Sequence, residues 1–115
     1  MKYSDPSEFF KFIIEKADIN VINDKQKCLA AALDLLDNEK PDFKLLKQAF
    51  INDVYKELVK AYNSDSKTKI AQIKKAKKIL TDECFIVGEK ANQAVGWLAS
   101  VIFLEEWNKN FGKSV

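Results

Sequence analysis

The residues of this chain whose type and spacing could do chemistry are two cysteines, a cluster of lysines and two adjacent pairs of acids. A cysteine can act as a nucleophile or bind a metal, but Cys28 and Cys84 stand far apart, each among apolar neighbours. They read as small structural residues of the core. Asp82-Glu83 and Glu105-Glu106 could supply a general acid and base, yet neighbours on a helix do not face one another. The chain contains no histidine and no arginine. Ser-His and Cys-His nucleophile pairs and histidine-containing zinc sites are therefore ruled out, as is the guanidinium fork that grips carboxylates, phosphates and guanine edges. Three scattered glycines exclude a phosphate-binding loop or a dinucleotide fingerprint. No catalytic residue, metal ligand or cofactor is predicted, and the expectation is a protein that is not an enzyme.

The lysines remain. Lys67, Lys69, Lys74, Lys75, Lys77 and Lys78 place six positive charges in 12 residues without one acid. Such a run can neutralise nucleic-acid phosphates, but no aromatic is interleaved for base stacking and no arginine is present to read bases. Lys74 and Lys78, one helical turn apart, read first as the solvated face of a helix, next as a docking surface for an acidic protein, and last as a nucleic-acid contact. Aromatic anchors would complete a protein-binding surface, because Tyr and Trp dominate interface hot spots. Tyr55, Tyr62, Trp97, Phe103 and Trp107 are the candidates. Trp107, near the C-terminus, is expected to be the most exposed. Asn92, Gly96 and Ser100 recur every fourth residue, a stripe that fits either an internal helix crossing or a shallow groove for a partner segment.

Several features bound the class. With 115 residues, 47% hydrophobic and 31% charged, the chain has the composition of a soluble globular domain. A net charge of +2 is too small to imply nucleic acid. Basic usage confined to lysine, with many Ile, Asn and Phe residues, resembles translation from an AT-rich gene. The start, Met1-Lys2-Tyr3-Ser4-Asp5, lacks a signal-peptide pattern, and the stretch from Ala94 to Leu104 is too short to span a bilayer. A cytoplasmic protein with reduced cysteines is expected.

The elements that must position these residues are helices. Asp5-Pro6-Ser7-Glu8 is an N-terminal cap with proline at the first helical position, followed by Phe9, Phe12, Ile13 and Ala17 at helical spacing. Ile19 and Ile22 are expected to pin a short segment to the core. Asn23 with Gln26 opens a second helix through Leu36, and Asp37-Asn38-Glu39-Lys40-Pro41 breaks it. Leu46, Phe50, Val54 and Leu58 recur every fourth residue along a third helix, from about Pro41 to Tyr62. Asn63-Ser64-Asp65-Ser66 forms a turn with a serine cap before a fourth helix carrying Ile70, Ile73 and Leu80. The last helix, roughly Glu89 to Asn108, is apolar over most of its circumference and is predicted to be central. No run alternates with period two. The sequence predicts an all-α fold, a single compact bundle of about five helices.

Two stretches resemble a helical module of bacterial proteins that occurs alone or appended to chaperone-like, kinase-like or zinc-ribbon segments. The first is Ile22-Asn23-Asp24-Lys25-Gln26-Lys27 with Asp34, Asn38-Glu39-Lys40, Leu45-Leu46 and Ala49, which is similar to an opening of the form I-L-N-D-K-Q-R. The second runs from Leu80 to Ala99, where Glu83, Ile86, Glu89, Ala91, Ala94, Val95 and Ala99 follow a pattern of the form E-Y-G-I-x-E-E-x-A-x-x-A-V-x-x-W-A. Cys84-Phe85 replaces its tyrosine-glycine, and Leu98 fills its tryptophan position, with Trp97 one residue earlier. The resemblance implies an all-helical fold and a role in protein contacts, and it carries over no catalytic residue.

The expected function is a non-enzymatic protein-binding domain, most specifically a small immunity protein that binds and neutralises a cognate bacterial toxin. The alternative is an adaptor acting on a chaperone or signalling protein, and a nucleic-acid-binding regulator ranks below both. Lys74, Lys78, Tyr55, Tyr62 and Trp107 are the predicted contact residues.

Overall fold

Helix formation begins where the caps indicate. The computed structural model describes residues 3–37 and 41–111. Asp5 sits in extended backbone and accepts a hydrogen bond from Ser7 N at 2.9 Å, with Pro6 opening helix α1 (Pro6–Lys16). A 3₁₀ turn over Ile19–Asn23 buries Ile22, and Ile19 stays half-buried. Helix α2 (Lys25–Leu35) starts one residue later than the Asn23 cap implies, because Asp24 makes the capping bond to Lys27 N. The expected break at Asn38-Glu39-Lys40 lies outside the described residues, as do Met1 and Lys2. Tyr3 bridges to the end of α2, donating to Leu35 O at 2.7 Å and accepting from Asp37 N at 3.2 Å.

Among the described residues there are seven α-helices and no strand, which confirms the all-α class and corrects the expected number of about five helices. Two predicted helices are each broken once. The third divides into α3 (Pro41–Ile51) and α4 (Val54–Val59) at Asn52-Asp53, where Asp53 takes φ 59°. Asp and Asn enter the left-handed region more readily than other side chains, and Asn52 Nδ2 bonds back to Gln48 O at 2.8 Å. The last helix divides into α6 (Gly88–Ile102) and α7 (Leu104–Asn110) at Phe103, which leaves helical geometry with φ −124° and ψ 48°. Between them, α5 (Ser66–Lys78) is capped by Asp65, which accepts from Thr68 N at 2.9 Å, rather than by a serine. It runs straight into one π-helical turn, Ile79–Glu83.

Helix α6 is the axis of the bundle, packing against α1, α3, α4, α5 and α7. Phe9, Phe10, Leu46, Phe50, Leu58, Ile73, Leu80, Leu98 and Phe103 meet around it in one contiguous buried cluster. Among the described residues, no helix is long and apolar enough to cross a membrane.

Candidate functional site

Helix α5 presents the lysine run, and the fold divides it in two. Lys69 lies 5.7 Å from the ring centre of Phe103, and Lys77 lies 4.9 Å from that of Phe111. Burial, and then the neighbouring Lys74 charge, push the Lys77 ammonium below its usual pKa. Lys75 pairs with Glu57 of α4 at 3.2 Å. The Glu57 carboxylate also accepts from Lys60 at 2.8 Å and from Gln72 Nε2 at 3.2 Å. Its pKa is held down first by the Lys60 bond; burial opposes this, and the Lys75 and Gln72 bonds add to the lowering. These three lysines therefore fasten α5 to its neighbours.

The other three, Lys67, Lys74 and Lys78, are exposed and make no ion pair among the described residues. At roughly 100° per residue, positions i, i+7 and i+11 fall within an arc of about 40°. They therefore form one basic stripe, with Ala71 exposed between them. The predicted pair Lys74 and Lys78 belongs to it.

The predicted aromatic anchors fare differently. Tyr55 is a core residue. Its hydroxyl donates to Ala94 O at 2.9 Å, and its ring meets Phe10 and Phe50 with centroids 4.8 Å away in each case. Burial, and secondarily Cys28, keep this phenol well above its ordinary pKa. Trp107, expected to be exposed, is only 8% exposed. It stacks on Phe111 at 5.5 Å and covers Gly96. Both are withdrawn from any surface by internal packing, Tyr55 because its hydroxyl finds a backbone partner inside and Trp107 because α7 turns back onto α6. Trp97 and Phe103 are buried too, whereas Tyr62 remains 38% exposed. The small-residue stripe is an internal crossing at Gly96, where the Trp107 indole lies.

Residues not singled out by their type form the most prominent apolar surface. The π turn ends at Cys84, Phe85 takes φ 56°, and Ile86 N closes the turn on Leu80 O at 3.0 Å. Phe85 occupies the left-handed position that terminates many helices and is usually glycine, and its side chain is 87% exposed, with Val87 beside it at 66%. Asp82, Glu83 and Glu89 around them are exposed. A shallow hollow of about 200 Å³ lined by Lys75, Lys78, Ile79, Asp82 and Glu83 adjoins this turn, below the size of ordinary small-molecule sites.

The thiols fit structural roles. Cys28 is fully buried, and burial, reinforced by Asp24, pushes its pKa up to about 12. Cys84 is half-buried, and burial and Glu83 raise its pKa as well. A thiol that resists ionisation is a poor nucleophile. Among the described residues, no three acids or cysteines are grouped so as to hold a metal ion.

Compared with known proteins, the chain matches no family model, no curated protein and no solved structure.

Proposed function

We propose that this chain is a non-enzymatic protein-binding domain, and in its most specific form an immunity protein that occludes a cognate bacterial toxin in the cytoplasm. The observation that carries the reading is the division of labour on α5. Three lysines are consumed in holding the bundle together, while Lys67, Lys74 and Lys78 share one face with no partner among the described residues. Unpaired charges of one sign steer complementary proteins and raise their association rate. Lys74 and Lys78 are the contact residues, and Tyr62 is the one predicted aromatic anchor that stays exposed.

A nucleic-acid contact is less well supported. The most exposed ring is that of Phe85, and Asp82 and Glu83 stand between it and Lys78 in the sequence. Two carboxylates on that path oppose a phosphate backbone.

The deciding experiment is purification of the tagged chain from its host, with labelled DNA and RNA titrated at low salt as the control. One stoichiometric nuclease-like or pore-forming partner selects the immunity reading. A chaperone or kinase selects the adaptor. Tight nucleic-acid binding with no protein partner overturns both.

A further inference from the structure

The turn from Cys84 to Val87 combines two features that folding alone opposes. A bulky side chain at φ 56° is sterically unfavourable, since the β-carbon crowds the following carbonyl. Helix termination here requires only the left-handed backbone, which glycine or asparagine supplies with less strain. Phe85 also gains almost nothing from burial, because 87% of it faces solvent. The turn itself is held firmly. Ile86 N is bonded to Leu80 O at 3.0 Å, and Ile86 packs against the core on one side of Phe85 while Cys84 does so on the other. A strained, exposed aromatic on a fixed frame points to a use outside the fold.

Charge indicates what meets it. The lysine stripe ends at Lys78, and the exposed charges that flank Phe85 in the sequence are Asp82, Glu83, Glu89 and Lys90, three acids against one lysine, with none of the acids in a salt bridge among the described residues. This acidic excess beside Phe85 disfavours an anionic membrane and a nucleic acid there. It favours a protein whose apolar pocket has a basic rim.

Resting on the protein-binding reading above, we propose that Phe85, flanked by Val87, is the anchor that inserts into an apolar pocket of the partner protein. The pocket is rimmed by basic groups facing Asp82, Glu83 and Glu89, and an acidic patch beside it faces Lys74 and Lys78. The π turn and its left-handed end then present an anchor in its bound orientation, so little is lost in ordering it on association.

The test places a photo-crosslinking p-benzoyl-phenylalanine in the full chain at position 85 or, for comparison, at the exposed positions 33 and 104, and irradiates the host cells. The captured protein is then purified and titrated against the wild type, Phe85→Gly and Phe85→Asn. The expected result is a single protein adduct from position 85, with affinity for Phe85→Gly and Phe85→Asn reduced about 30-fold or more, the size of an interface hot spot. Melting temperatures of both variants should equal or exceed that of the wild type, because glycine and asparagine relieve the left-handed strain. Adducts from 33 or 104 but not 85, or affinity unchanged within about threefold, overturn the anchor and leave the protein-binding reading standing. Loss of folding in both variants also overturns it, since Phe85 would then be a structural side chain. No protein adduct from any of the three positions overturns the anchor, and the protein-binding reading falls with it only when purification of the tagged chain also recovers no protein partner.

Discussion

The indole of Trp107 lies across Gly96, so close that a β-carbon at position 96 would stand 2.5 Å from Trp107 Cζ2. In one continuous helix, residues 11 apart are separated by about 16 Å along the axis, farther than an indole reaches. The contact therefore exists only because the chain bends at Phe103 and α7 folds back. The same bend brings Glu106 of α7 to Ser66 at the start of α5, where the serine hydroxyl donates to the carboxylate at 2.6 Å. One glycine thus governs how the last two helices close on the lysine-bearing helix.

Gly96→Ala should destabilise the protein by about 1–3 kcal/mol, the usual cost of overpacking a filled core. Thermal unfolding monitored by circular dichroism measures it. Tryptophan emission should shift to the red if Trp107 is displaced into water. An unchanged melting temperature would mean that α7 is not seated on α6.

Trp107→Ala should act on the fold and not on a partner contact, costing on the order of 3 kcal/mol or more through the cavity left behind. Tyr55→Phe should cost about 1 kcal/mol by removing the bond to Ala94 O. In the folded fraction of either variant, the off-rate from a bound partner should be that of the wild type. Surface plasmon resonance with correction for active protein checks this.

Alkaline pH should weaken the fold. The Cys28 thiol rises from 9.0 to about 12 in the folded chain, and Tyr55 shifts in the same direction from 10.0. A group whose folded pKa lies above its unfolded value contributes stability that is complete below the unfolded pKa. That contribution is lost as pH rises from about 9 towards 12, because the unfolded chain releases its proton first. Urea unfolding at successive pH values should therefore show falling stability above pH 9, and Cys28→Ala should flatten the slope. Cys28→Ser at neutral pH should cost on the order of 1–3 kcal/mol.

Glu57 has the opposite sign. Its folded pKa lies below 4.5, so its contribution is present above that value and is lost as pH falls through the lowered one. Glu57→Gln should remove part of the acid dependence and cost about 1 kcal/mol at neutral pH. The figure is modest because Lys60 and Lys75 each keep 59% of their side-chain surface in water. Urea midpoints at pH 3 to 7 supply the comparison.

Reversal of Lys74 and Lys78 to Glu should slow association with an acidic partner by about tenfold at low salt, and the difference should shrink as salt screens the stripe. Tyr62→Ala should instead raise the off-rate. Stopped-flow mixing across ionic strengths separates the two effects.

Much of this architecture was legible in the sequence where a local signal sufficed. Asp5-Pro6 marked the start of α1, and the apolar circumference of Ala91 to Phe103 marked the helix at the centre. The breaks were harder to read. Asn52-Asp53 carried the polar signal of a left-handed residue, but the four-residue repeat of Leu46, Phe50, Val54 and Leu58 runs across it in phase. Phe103 carried no breaking signal at all, since its geometry follows from where Trp107 packs. The site divided in the same way. The lysine face followed from helical spacing, but which lysines stay unpaired depended on Glu57, Phe103 and Phe111, distant in sequence. Phe85 was not named as a contact residue because exposure of a phenylalanine between Cys84 and Ile86 contradicts what its type suggests. Only the backbone of the turn reveals it.

The packing of α1 against α6 also sets a timetable for the chain during its synthesis. Helix α1, with Phe9 and Phe10, is made well before α6, the helix it packs against, which ends at Ile102, 86 residues beyond Lys16. At about 5–20 residues per second, α1 waits roughly 4–17 s for that helix. During that interval the nascent protein offers an aromatic pair to any chaperone at the tunnel exit. Moving α1 to the C-terminus by circular permutation should shorten the wait without altering the finished bundle.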